Sequence, residues 1–184
     1  LLSSGKTTLQ VPSSYLAAIY RNALRLTKLV SRIIDFRKLE SGHLRLERQH
    51  LNVVSFCKEL TIDYESLCMQ KGIIFTFKTD HTHIELSFDP DKLESIISNL
   101  VSNAFKYTPE GGKIIFSIQE TETMVSFSIE DNGIGIDKQY HEAIFENFFQ
   151  IDPTKTSYAG DGIGLSFVKK LITLHGGSIR LESE

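Results

Sequence analysis

Cysteine is scarce, with two in 184 residues. Neither belongs to a tight Cys/His cluster, which excludes a disulfide scaffold and a structural zinc site. No run reaches the roughly 18 apolar residues of a membrane span. There is no excess of positive charge: 20 Lys and Arg stand against 23 Asp and Glu, a net charge of -3. Broad nucleic-acid binding wants a basic surface, so no nucleic-acid partner is expected. No internal repeat is found, and the first eight residues, Leu1-Leu-Ser-Ser-Gly-Lys-Thr-Thr, lack the apolar stretch of a signal peptide. They read as a loop entered from something upstream. The chain is therefore expected to be a fragment, with any sensor or membrane anchor outside it. Hydrophobic residues at 41% and charged residues at 23% describe an ordinary globular composition.

A long helical pattern follows possible N-caps at Ser13 and Ser14. Leu16, Ile19, Ala23, Leu26, Val30 and Ile33 recur at steps of three and four, a heptad seam. Leu29, Ile34, Phe36 and Leu39 widen it, and Ser41-Gly42 ends the helix near Glu40. Such a helix of about 28 residues is about 42 Å long. It reads either as a core helix or as a dimerising bundle helix. Further on, 43–51 suggests a short strand, and Val53, Cys57, Leu60, Tyr64, Leu67 and Cys68 form a helical stripe. The two cysteines, about 16 Å apart along one helix, cannot pair and are expected as buried thiols.

Strands are expected at 73–77, 84–88, 114–118, 124–129 and from Ser178, with two of the strand pairs hairpin-like. Helices are expected at 93–106, 137–145 and 163–174, the last stopped by Gly176-Gly177. The segment 150–160 reads as a polar loop. The fold class is α+β with a mixed sheet.

Three constellations can carry chemistry. Asn99, Asn103 and Lys106 lie at i, i+4 and i+7 on one helix face, opposite the stripe of Leu93, Ile97 and Leu100. An amide oxygen is a hard donor suited to Mg²⁺, and an ammonium suits phosphate oxygens. As a lone feature the row is equally a solvated polar face. Asp131-Asn-Gly133-Ile-Gly135-Ile136 closes a strand with an acid and two spaced glycines, allowing close approach by a ligand. A buried carboxylate there can accept from the amino group of adenine. The alternative is a capped hairpin turn. Gly160-Asp-Gly162-Ile163-Gly164-Leu165 precedes a helix whose free N–H groups make an anion site, or serves as a hinge. Several patterns lead nowhere. Gly5-Lys6-Thr7 lacks the first glycine and the strand of a P-loop, His141-Glu142 lacks the second histidine of a zinc protease, and there is no Gly-x-Ser-x-Gly elbow.

The order of these motifs resembles the catalytic and ATP-binding domain of bacterial sensor histidine kinases, hybrid sensors included. Asn99-Leu-Val-Ser-Asn103-Ala-Phe-Lys106-Tyr107-Thr is similar to the family's asparagine box, and Asp131-x-Gly133-x-Gly135 to its first glycine box. Ile144-Phe-Glu-Asn-Phe-Phe-Gln is similar to its phenylalanine box, and Gly160-Asp-Gly162-Ile-Gly164-Leu165 with His175-Gly-Gly to its second glycine box and exit turn. The long helix with Asp35-Phe-Arg-Lys-Leu-Glu-Ser-Gly resembles the second helix of the dimerisation and phosphotransfer hairpin.

The resemblance implies a two-layer α/β sandwich of the Bergerat type, a left-handed βαβ-type unit with one mixed sheet backed by three helices, preceded by one bundle helix. It implies a partial dimerisation domain over 1–41 and an ATP-binding domain over 42–184 that lacks its last strand. Asn103 would ligate Mg²⁺ and Lys106 would touch phosphates. Tyr107, Gly133, Gly135 and Ile136 would lie near the nucleotide, and Asp131 would read adenine. Gly160, Gly162, Ile163, Gly164 and Leu165 would face the triphosphate, with Lys155 on a lid over 150–160. The cofactors would be ATP and Mg²⁺. The partners would be a second copy through the bundle helix and a response-regulator receiver domain. The location would be cytoplasmic, with membrane contact only through regions outside this chain.

Two departures shape the expected activity. Hydrolases of the superfamily carry a glutamate four residues before the metal asparagine; here it is Asn99, and an amide is no general base. Phosphotransfer is thus favoured over hydrolysis, with Asn99 and Lys106 as the catalytic pair. None of His43, His50, His81, His83, His141 and His175 has the Glu-Leu-Arg-Thr-Pro context of an acceptor. The expectation is a kinase core that does not label itself. A nucleotide-binding interaction module without transfer, and an ATPase or serine kinase of the same superfamily, are the alternatives.

Overall fold

The computed structural model describes residues 13–151 and 162–183. It divides into two compact units, Leu1–Leu44 and Arg45–Glu184. In the first, α1 spans Ser13–Glu40. Its turn into the following segment is left-handed at Gly42, with φ +69°. The seam residues Leu16, Ile19, Ala23, Leu26, Val30 and Ile33 are all exposed.

The second unit runs β1 (Gln49–Asn52), α2 (Val53–Gln70), β2 (Ile74–Thr79), β3 (Glu85–Phe88), α3 (Pro90–Tyr107), β4 (Lys113–Glu120) and β5 (Val125–Asp131). Two 3₁₀ turns follow, Lys138–Tyr140 and Ala143–Phe145, and then α4 (Gly164–His175). β2 lies parallel to β4, and β4 antiparallel to β5, so the three-stranded sheet is mixed. β1 and β3 form a separate antiparallel ribbon.

Sequence chemistry explains the joints. The Asn52 side chain accepts from Val54 N–H, capping α2, and from Ile84 N–H, so one amide ties the helix start to the chain entering β3. Asp89 caps α3 by accepting from Lys92 N–H, with Pro90 in the first turn. Its second oxygen accepts from Glu47 N–H at 2.9 Å, which accounts for a carboxylate being buried here. In β4, Ile114, Phe116 and Ile118 are fully buried at alternate positions. Phe116 and Ile118 pack with Val53, Cys57, Ile97 and Val101, Ile114 packs with Cys68, Ile73 and Ala104, and the Phe77 ring meets Phe116 edge-on at 5.3 Å.

Four expectations need correction. The strands near 73–77 and 84–88 do not pair as a hairpin: β2 takes β4 and β3 takes β1. No strand forms from Ser178 among the described residues. The segment's recorded bond is a side-chain one, Ile136 N–H to the Ser183 hydroxyl at 2.8 Å. The span 137–145 is two short 3₁₀ turns, the first capped by the Asp137 side chain, rather than one helix. On α2, Val53, Cys57 and Cys68 are buried and Leu60 and Tyr64 pack against the core as expected, but Leu67 faces outward, and Val54 and Thr61 are buried beside the stripe.

Both cysteines are buried free thiols on α2. Burial pushes the Cys57 thiol from 9.0 up to about 12, and raises Cys68 as well. A folded-state pKa above the unfolded one adds stability that is complete below the ordinary thiol range and lost as pH rises from 9 toward 12. At pH 8 a disulfide-exchange reagent is expected to label neither thiol until denaturant is added, then to label both. Rapid labelling of the folded chain would contradict this packing.

Candidate nucleotide site

The asparagine helix α3 is the floor on which the other motifs converge. Asn99, Asn103 and Tyr107 fall one turn apart along it. At its C-terminal end, the turn after β5 approaches so closely that a Cβ on Gly133 would stand 2.6 Å from the Tyr107 carbonyl oxygen. At its middle, the start of α4 approaches Asn99: a Cβ on Gly164 would stand 3.1 Å from Asn99 Oδ1. Asn103 lies on the helix between these two contacts. Gly133 is thus required by its contact with the helix backbone, and Gly164 gives close approach to the Asn99 side chain.

The turn after β5 is built by side chains that accept from the backbone. Asp131 Oδ1 accepts from Gly133 N–H at 2.9 Å. Asn132 Oδ1 accepts from Lys113 N–H at 2.6 Å, and Asn132 N–H donates to Lys113 O, which pins the turn to the start of β4. Gly135 is left-handed, with φ +67°. The Ile136 carbonyl meets His141 Nε2 at 2.8 Å. Asp131 is exposed, not buried as expected, because β5 ends there and its side chain folds over the turn.

Asn99 also differs from expectation. It is buried rather than on an open polar face, among the inward residues Ile96 and Ile97, and its Nδ2 donates to Ser95 O at 2.6 Å. Asn103, by contrast, is half-buried and its side chain has no hydrogen-bond partner among the described residues. Lys106 Nζ stands over the Tyr107 ring, 5.2 Å from its centre, with no carboxylate partner among the described residues. An amide oxygen and an ammonium within one turn of the same helix are the donor set that Mg²⁺ and phosphate oxygens together would need.

α4 begins at Gly164 with no side-chain cap from Ile163. The amides of its first turn, Leu165 included, have no intrahelical carbonyl and aim out of the helix end. Gly162, at φ +68°, leads into it and is paired with the phenylalanine-rich segment through Phe148 N–H to Gly162 O at 2.9 Å. Lys155, Gly160 and most of the expected lid lie outside the described residues.

Three further features support the site. Asn132 was detectable as an Asx residue before glycine at a strand end. Asp89-Pro90 was detectable as a helix start. His175 was read only as part of an exit turn. Its Nδ1 meets Leu171 O at 2.8 Å, and its Nε2 accepts from Asp89 N–H at 3.3 Å, linking the end of α4 to the start of α3.

Comparison with known proteins places this geometry. Residues 88–184 match the family described as histidine kinase-, DNA gyrase B-, and HSP90-like ATPase. A histidine kinase of Formosa agariphila is 37% identical over 90% of this chain and 12% of its own length. The catalytic domain of histidine kinase ThkA superposes with a TM-score of 0.66 at 30% identity, over 74% of this chain and 89% of that one. A structure of ThkA with the response regulator TrrA matches at 26% identity and a TM-score of 0.68, over 97% of this chain and 50% of that one. Full-length ShkA in complex with AMPPNP gives a TM-score of 0.79 at 25% identity, over 97% of this chain and 37% of that one. The chain belongs to the histidine kinase-, DNA gyrase B- and HSP90-like ATPase family. Within it, the chain carries the ATP-binding catalytic core of the histidine kinases. It spans only 10% to 26% of the length of the curated relatives it matches.

The close approach at Gly133 makes a prediction. Gly133→Ala drives a methyl group into the end of α3 and is expected to cost about 1–3 kcal/mol by overpacking. Gly111→Ala, left-handed but with nothing within 4 Å of its Cβ, is expected to cost about 1–2 kcal/mol by backbone strain alone. In Gly133→Ala the amide exchange of α3's last turn rises, while in Gly111→Ala it does not. Unchanged exchange in both would refute the contact.

Proposed function

We propose that this chain is the kinase core of a sensor histidine kinase, which transfers the γ-phosphoryl group of Mg-ATP to a histidine outside residues 1–184, for relay to a receiver aspartate. The observation that carries the reading is the convergence of Gly133 and Gly164 on α3, on either side of Asn103. That arrangement sets an amide oxygen and an ammonium between an acidic turn and a helix start. The likeness to ShkA, solved with AMPPNP, supports a nucleotide there.

In this reading Asp131 accepts from the adenine amino group, and Gly135 and Ile136 border the base. Asn103 holds Mg²⁺, which supplies charge neutralisation on the phosphates. Lys106 adds a second positive charge. The first-turn amides of α4, from Gly164 and Leu165, receive phosphate oxygens. Gly162 and Ile163 lead the chain to them. Catalysis is positioning and electrostatics: the bond from the γ-phosphorus to its bridging oxygen breaks, a bond to an imidazole nitrogen forms, and the ring proton leaves. Asn99 supplies no base for water, and its Nδ2 is engaged by Ser95 O.

α1 extends the reading to assembly. Its six seam residues are exposed along the helix. A second copy that buries them is the proposed dimer partner, with residues 1–41 as part of a dimerisation domain. A receiver domain is the proposed downstream partner, supported by the ThkA–TrrA complex. No helix among the described residues is long and apolar enough to cross a membrane. The proposed location is the cytoplasmic part of a sensor.

Two measurements test this. With labelled ATP alone the chain is expected to form no phosphohistidine. Of its histidines, His141 and His175 are tied to backbone groups, and none stands in an acceptor motif. With a hairpin bearing a Glu-Leu-Arg-Thr-Pro-type acceptor added in trans, transfer is expected, and Asn103→Asp or Asp131→Ala is expected to lower it by about 100-fold or more. Steady phosphate release without an acceptor would favour an ATPase instead. Mg-ATP binding with no transfer to any acceptor would favour an interaction module.

A further inference from the structure

We propose that Lys71 is a positioning residue for the nucleotide site, acting through the end of α3 that carries Lys106 and Tyr107. The inference depends on the nucleotide reading above. Lys71 follows α2 and is half-buried. Its Nζ donates to Phe105 O at 3.0 Å and to Thr108 O at 2.9 Å, and stands 4.9 Å from the centre of the Phe105 ring. Among the described residues it has no carboxylate partner.

The chemistry of the sequence explains why a cation is needed there. In a continuing helix the Phe105 carbonyl would receive the N–H of residue 109. That residue is Pro109, which has none. Pro109 also holds Thr108 extended, at φ -82° and ψ 126°, so α3 stops abruptly. The Lys71 ammonium supplies the missing donor, spans two carbonyls at once, and places positive charge at the negative end of the helix. The neighbouring Ala104 carbonyl is already served by Thr108 N–H and by the Thr108 hydroxyl. Tyr107 O lies between the two carbonyls held by Lys71, and it is the group against which Gly133 packs. Releasing Lys71 therefore loosens Lys106, the Tyr107 ring and the seat of the Asp131–Gly133 turn together. Asn103, a full turn earlier, stays in place. The loss should fall on nucleotide affinity more than on turnover.

The test uses the full chain, with Mg-ATP affinity from calorimetry and turnover from transfer to an acceptor hairpin in trans. Lys71→Met is expected to weaken Mg-ATP by about tenfold and leave kcat within about twofold. Lys71→Arg, which keeps charge and donors, is expected to stay within about threefold of wild type. Thr61→Val removes a buried hydroxyl on α2 that donates to Lys58 O, and serves as a control for general destabilisation; it is expected to leave affinity unchanged. Wild-type affinity in a folded Lys71→Met, or an equal loss in Thr61→Val, overturns the proposal. Should Lys71→Met not fold, Lys71→Gln takes its place, and equal affinity of Lys71→Gln and wild type overturns it. If the wild-type chain takes up no Mg-ATP, the nucleotide reading falls and this one with it.

Discussion

The site depends on two places where backbone lies against the asparagine helix. Gly133 sits on the Tyr107 carbonyl, and Gly164 sits against the Asn99 amide. A β-carbon at Gly133 would press on the backbone of α3 and force a shift, whereas one at Gly164 would need the Asn99 amide to give by a few tenths of an ångström. The distance between acid, amide and helix start is therefore set by contact, not by the lengths of the loops that join them. Long-range pairing of this sort needs firm anchors at both ends of α3. They are present: Asp89 fixes the first turn to Glu47 N–H, and Lys71 fixes the last to α2.

The same view assigns different work to the two amides of the helix. Asn99 is spent inside the structure, bonded to its own helix and covered by the start of α4. The Asn103 carboxamide has no hydrogen-bond partner among the described residues. Within one superfamily, a base at the first position would favour attack by water, whereas an amide packed against a neighbouring helix leaves the phosphoryl group for a protein acceptor. On the proposed reading, the choice between the two chemistries rests on one side chain in the middle of α3.

Much of this was legible before any coordinates. Order and spacing of the motifs identified the family, and the heptad seam of α1 and the alternation in β4 located those elements within a residue or two. The rest was hidden for physical reasons. Strand partners are non-local, so the pairing of β2 with β4 and of β1 with β3 left no trace in local pattern. Helical periodicity placed Asn99 with Asn103, but a helix with neighbours on several sides has no single polar face, and Asn99 went inward. The exposed Asp131 was misjudged because its role was inferred from a ligand rather than from the strand end on which it sits. Lys71 could not be found at all from spacing. Its importance comes from a proline 38 positions later, at 109.

The central claim is that the turn after β5 and the start of α4 serve one ligand across α3. Hydrogen exchange with and without Mg-AMPPNP tests it most directly. Simultaneous protection of 131–136 and 164–167, with the β1–β3 ribbon unchanged, is the predicted result. Protection at one segment alone, or at neither in a folded chain, would contradict it.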